Sequence, residues 1–278
     1  MSQRPCYTCG MDLNAATASL SPFMLGVLAS VVAGFMATTL GALPVFFLRS
    51  IRDSTQNLML AFAAGVMLAA TFFSLLMPAL DQAEAGLGNP SRAALAVIVA
   101  LLTGAAIMHL AHRFAPHEHF GEKGREGMDA GRLARVWLFV IAIALHNFPE
   151  GLAVGIGAAS GDYASGLGVT LGIGLQNLPE GLAVAVALRG QGYDRRLAFL
   201  IAALTGALEP LGGIVGAGAL AISAGLLPWA LAFAAGAMLF IISSEVIPET
   251  HRHGVERGAT IALFGGFVVM LYLDVALG

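Results

Sequence analysis

Charge is what this chain has least of. Asp, Glu, Lys and Arg make up 11% of its 278 residues, against roughly 25% in a soluble domain. No stretch of basic residues is long enough to suggest a nucleic-acid partner. Cysteine is nearly absent: Cys6 and Cys9 form one C-x-x-C near the start, with no second pair to complete a zinc ribbon. The nucleotide-binding pattern G-x-x-x-x-G-K-[ST] does not occur, and neither does H-E-x-x-H; these absences argue against ATP hydrolysis and against a zincin-type protease. The first 21 residues include Arg4 and Asp12 and lack the basic start and apolar run of a signal peptide. They read as a polar extracytoplasmic tail.

What is abundant is apolar. Hydrophobic residues make up 58% of the chain, with 35 glycines, a composition suited to closely packed membrane helices. The apolar runs are too long for barrel strands. The fold class is therefore an all-α polytopic membrane protein filling residues 22–278. Eight spans are expected: Pro22–Leu48, Asn57–Leu80, Ser91–His112, Leu133–Ala158, Ala164–Leu188, Arg196–Ser223, Leu227–Val246 and Ala259–Leu277. One longer loop, residues 113–132, separates spans three and four. Of the fourteen Lys and Arg residues, all but Arg4 and Arg92 fall on the side away from the termini. The positive-inside rule then puts both termini outside a plasma (inner) membrane.

Two nonapeptides organise the rest. HNFPEGLAV begins at His146 and QNLPEGLAV at Gln176, identical at seven of nine positions. Each sits about midway along a span, where polar groups are costly and mark function by default. On a helix, residues four apart share a face, which pairs His146 with Glu150 and Gln176 with Glu180. Asn147 and Asn177 turn about 100° from that face. Pro149 and Pro179 free the carbonyls of Leu145 and Leu175, tolerable in a membrane only beside protein or a wet cavity. A solitary membrane histidine or glutamate is more often a packing residue, but two matched sets in adjacent spans point to one shared site. Carboxylate, imidazole and amide donors suit a divalent transition ion.

A second repeat supports transport. LAFAAGVML at Leu60–Leu68 recurs as LAFAAGAML at Leu231–Leu239, eight of nine identical, and TLGALP at Thr39–Pro44 is echoed by LTGALEP at Leu204–Pro210. Spans one, two and three thus answer to six, seven and eight in opposite orientation, a common construction of secondary transporters. The echo brings Glu209 into the middle of span six, where a cation between spans four and five would supply the charge it needs. Met67, at similar depth, is either a soft thioether donor or plain filler. Nearer the cytoplasmic surface lie His109, His112, His117 and His119, then Glu245, Glu249, His251 and His253. This group holds six of the seven histidines, and His112, His117, His119, Glu245 and His251 are expected along the exit path. Asp81 and Glu84 stand where an ion would enter.

HNFPEG, QNLPEG, AFAAGVML and SEVIPETH resemble the ZIP (Zrt/Irt-like) family of divalent-metal transporters, closest to its prokaryotic GufA-like branch, and the likeness runs from span one to span eight. The resemblance implies a 3+2+3 helix arrangement with inverted halves and a midplane site between helices 4 and 5. It implies that His146, Glu150, Gln176, Glu180 and Met67 form the primary site. A second site would share Glu150 and Glu180 and add Asn147, Asn177 and Glu209. Asn177 stands where some relatives carry aspartate, and Ser244 where some carry histidine. The substrate would be Zn²⁺ or a related ion (Cd²⁺, Fe²⁺, Mn²⁺, Co²⁺), with no permanently bound cofactor. The expected partners are the ion and the bilayer, not nucleic acid, and a homodimer is an assembly the sequence leaves open. The rival readings are an intramembrane metallohydrolase, which His146, Glu150 and Glu180 could mimic, and a passive metal sensor.

Overall fold

The structure is a computed structural model that describes residues 20–48, 52–114, 128–250 and 256–277. Every regular element among the described residues is helical. Among the described residues eight helices are long and apolar enough to cross a bilayer: α1 Pro22–Phe46, α2 Ser54–Leu87, α3 Pro90–Ala111, α4 Phe139–Ala159, α5 Gly166–Gly190, α6 Arg195–Ile222, α7 Ala224–Val246 and α8 Arg257–Leu277. Burial sorts them. The spans α2, α4 and α5 are the most enclosed, while α1, α3 and α8 are the least. The outer helices turn Leu40, Leu95, Leu102, Phe264 and Val275 outward, a surface that water would penalise and lipid does not.

Local chemistry sets the ends. Ser21 caps α1, accepting the Met24 N–H at 3.3 Å, and Pro22 occupies the first helical position, where its missing N–H costs nothing. Asp194 caps α6 through the Arg196 N–H at 3.0 Å. The second span runs seven residues past the expected Leu80. The segment beyond, with Asp81, Gln82 and Glu84 exposed, stays helical outside the apolar core until Gly88 stops it in the left-handed region at φ 63°. On the other side, the helix carrying α4 begins at Met128, so the expected loop 113–132 is shorter. His117, His119, His251, His253, Cys6 and Cys9 lie outside the described residues.

Among the described residues three helices contain a π-helical stretch: Val31–Met36 in α1, Ala70–Leu76 in α2 and Ile242–Val246 in α7. The last two follow the repeated LAFAAG segments at equivalent positions, and proline explains them. Pro78 and Pro248 provide no N–H for the carbonyls of Ser74 and Ser244, and their rings crowd those carbonyls. The chain relaxes by widening the preceding turn.

The packing is reciprocal. Helix α2 lies against α8 and α5, and α7 lies against α3 and α4; α4 packs on α6 as α5 packs on α1. Glycines set the closest approaches. A Cβ on Gly65 would strike the backbone of Leu263, and one on Gly266 the backbone of Phe62. The counterparts Gly236 and Gly104 meet the backbones of Leu101 and Phe233 in the same way. Spans three and eight are therefore equivalent partners, as the repeat implied.

The α1–α6 register is not the one the short echo suggests. Matching TLGALP to LTGALEP pairs Gly41 with Gly206. In the fold, Gly41 abuts the Leu178 backbone as Gly212 abuts that of Phe148. Likewise Gly181 meets the Thr38 backbone and Gly151 that of Glu209. Thr38 is thus the counterpart of Glu209, six residues away from the sequence match. Contact between backbones decides the register, and a short alanine- and leucine-rich echo does not.

Candidate metal centre

The two motif copies lie near the middle of α4 and α5, which pack against each other. His146, Asn147, Glu150, Gln176, Asn177 and Glu180 are all buried, as are Glu209 on α6 and Met67 on α2. The structure brings Glu150, Gln176, Asn177, Glu180 and Glu209 into one region. Glu150 lies within electrostatic reach of Glu180 and Glu209, with the Gln176 side chain beside it. Glu209 also senses Glu180.

Glu209 owes its position to a break in α6. The helix is interrupted at Ala207, and a new segment starts at Leu208 with Glu209 in its first turn. Free N–H groups and the helix dipole favour a carboxylate there. Gly34 on α1 leaves room for it, since any side chain at that position would overlap Glu209. The Asn177 amide nitrogen is fully committed: Nδ2 donates to Ala33 O at 2.8 Å and to the two Glu209 oxygens at 2.9 and 3.0 Å. This amide thus acts as a donor closing this side of the cluster.

Elsewhere the polar atoms are unsatisfied. Both oxygens of Glu150, both polar atoms of Gln176 and of Asn147, the Asn177 Oδ1 and the Glu180 Oε2 are buried without a hydrogen-bond partner. Each such atom costs about 1–3 kcal/mol, and more if charged. A protein keeps a cluster like this where something cationic or hydrated joins it. Among the described residues no three His, Cys, Asp or Glu side chains form a ready-made metal cage. The carboxylates are interleaved with amides, a donor set that fits a borderline divalent ion without gripping it as a structural Cys₄ site would.

His146 is held by Glu245: its Nε2 meets Glu245 Oε2 across the α4–α7 contact. The sequence puts Glu245 near the cytoplasmic surface. The π turn of α7 instead carries it to the candidate site, with its side chain only 18% exposed. Asp81 and Glu84 are exposed at the outer end of α2. His112 is helical within Pro90–Phe114. Three residues escape the sequence reading. Thr38 is buried and borders Glu209, but a threonine in an apolar span carries no signal. Ser74 Oγ donates to Asp274 Oδ1 at 2.7 Å, joining the α2 π turn to α8. Asp274 had a legible signal, a carboxylate inside the last span.

Residues 23–274 match the sequence model of the family described as ZIP Zinc transporter. The chain is 50% identical over 246 residues to Zinc transporter ZIPB of Bordetella bronchiseptica, covering 88% of this chain and 79% of that protein. It is 47% identical over 254 residues to Zinc transporter GufA of Myxococcus xanthus, covering 91% and 99%. Zinc transporter ZIP11 of Homo sapiens is 35% identical over 321 aligned positions, covering 87% and 94%. With eight membrane-length helices and two buried P-E-G motifs in adjacent spans, the chain belongs to the ZIP family of zinc transporters.

Proposed function

We propose that this protein carries divalent transition-metal ions, Zn²⁺ foremost, across the inner membrane toward the cytoplasm, without ATP, through a midplane site between α4 and α5. Two three-helix halves, α1–α3 and α6–α8, flank that pair in a 3+2+3 plan, with both termini extracytoplasmic. The observation that carries this reading is the cluster of buried, unpartnered oxygens on Glu150, Gln176, Asn147 and Glu180. An ion entering from the outer face exchanges its water for the Glu150 and Glu180 carboxylates, with His146, Gln176 and Met67 completing the shell. Because the donors are mostly neutral or shared, the ion is held loosely enough to leave. Opening toward the cytoplasm passes it to Glu245 and on toward the histidines at 112, 117, 119 and 251. A hydrolase would need a fixed water and a base in a site that departs from the repeat; here the two bridging carboxylates, Glu150 and Glu180, occupy matched positions of it.

The test is uptake of radioactive zinc into nucleotide-free proteoliposomes. Wild-type protein is expected to exceed protein-free vesicles many-fold, and equal uptake defeats the proposal. Orientation is checked separately in whole cells. With Cys6 and Cys9 replaced by serine, Asp162→Cys in the exposed α4–α5 turn reacts with an impermeant maleimide from outside. Labelling only after the membrane is opened reverses the assignment.

Asn177 limits the site to one ion, because its amide already satisfies Glu209. Asn177→Asp replaces that donor with a second carboxylate and creates room for a further cation. Titration calorimetry is expected to rise from one bound ion per chain to two. Unchanged stoichiometry with intact folding removes Asn177 from this role.

A further inference from the structure

Met238 is fully buried in α7 and belongs to the same apolar cluster as Met67. It holds the place in LAFAAGAML that Met67 holds in LAFAAGVML. The packing shows where both residues turn. Gly65 faces α8 at Leu263, and Gly236 faces α3 at Leu101. Two residues further along a helix is a rotation of about 200°, so each methionine lies on the side opposite its glycine contact. Beyond those contacts α2 packs against the motif helix α5, and α7 packs against the motif helix α4 and against α2. Met238 on α7 is thus the counterpart of Met67 on α2, as the α7–α4 contact is the counterpart of the α2–α5 contact.

We propose that Met238 is a second thioether ligand, completing the ion's shell from α7 in the conformation in which Met67 has withdrawn. The inference rests on the proposed site between α4 and α5. Its physical basis is the reciprocity of the fold. When two inverted halves exchange conformations, each contact made by one half is remade by its counterpart in the other. A site that leans on α2 while open to one side leans on α7 while open to the other. Sulfur is the natural donor for this exchange. A thioether is neutral, so moving it on and off the ion leaves no buried charge behind. Its softness favours Cd²⁺ and Zn²⁺ over Mn²⁺ throughout the cycle.

The test uses the full chain in proteoliposomes and the near-isosteric variants Met67→Leu and Met238→Leu, since Leu and Met exchange with little packing cost. Each is expected to lower the ratio of Cd²⁺ to Mn²⁺ uptake by roughly three- to tenfold, the loss of one soft donor. Direct contact is read by X-ray absorption at the cadmium edge on selenomethionine protein. A Cd–Se path is expected to persist in Met67→Leu and vanish in Met67→Leu/Met238→Leu. A wild-type uptake ratio in Met238→Leu, or no Cd–Se path in Met67→Leu, overturns the proposal and makes Met238 core packing. Glu150→Ala run in parallel separates the two readings: wild-type flux there removes the site itself, whatever Met238 does.

Discussion

Replacing Glu150 or Glu180 with alanine is expected to reduce zinc uptake by at least about a hundredfold, because each change removes a carboxylate of the proposed site, worth about 3 kcal/mol there. The same two carboxylates are buried, and both Glu150 oxygens and the Glu180 Oε2 lack hydrogen-bond partners. Without an ion they are a cost to the fold. Glu150→Gln is therefore expected to stabilise the metal-free protein by about 1–3 kcal/mol while abolishing the rise in Tm expected of wild type on adding zinc. The opposite signs are the informative part. Damage to packing lowers uptake and Tm together, whereas loss of a ligand lowers uptake and raises the metal-free Tm. Uptake within a factor of two of wild type in both alanine variants removes the site from the mechanism.

The second large effect comes from a residue with no functional group. Gly151 follows Glu150, and a Cβ there would overlap the backbone of Glu209. Backbone cannot rotate out of the way as a side chain can, so α4 and α6 must separate and Glu209 moves with its helix. Gly151→Ala is expected to destabilise by about 2–3 kcal/mol and to reduce uptake at least tenfold. Gly181→Ala, pressed against the Thr38 backbone, has the same consequence on the other side of the cluster. Gly86→Ala is the control: it sits on a helix with nothing near its Cβ position and gains roughly 0.5–1 kcal/mol of helix propensity. Fluorescence-detected thermal unfolding in detergent reads all three. A wild-type Tm for Gly151→Ala contradicts the close approach that positions Glu209.

Some of these features were legible because the signal is local or repeated. A span declares itself by composition, since a bilayer accepts only long apolar helices. The P-E-G motifs declare themselves because carboxylates inside such spans are expensive and these two are matched. The equivalence of spans two and seven, and by extension of three and eight, followed from a nine-residue repeat; their contacts, α2 with α8 and α3 with α7, came from the structure. The α1–α6 register failed for the converse reason. TLGALP and LTGALEP share residues common to any membrane helix, and the true equivalence of Thr38 with Glu209 joins two side chains with nothing in common. Glu245 was misplaced in depth because a straight-helix count ignores the π turn before Pro248.

Taken alone, the sequence determined the solvent this protein lives in, the number of its crossings and the residues too polar for their depth. Each of these is a property of a residue and its near neighbours along the chain. Tertiary structure decided which polar atoms remain unpartnered, that Asn177 spends its amide on Glu209, and that Glu245 reaches His146. Those depend on distances between helices, which are set where glycine lets one backbone touch another. No periodicity along a single helix encodes how closely its neighbour will come.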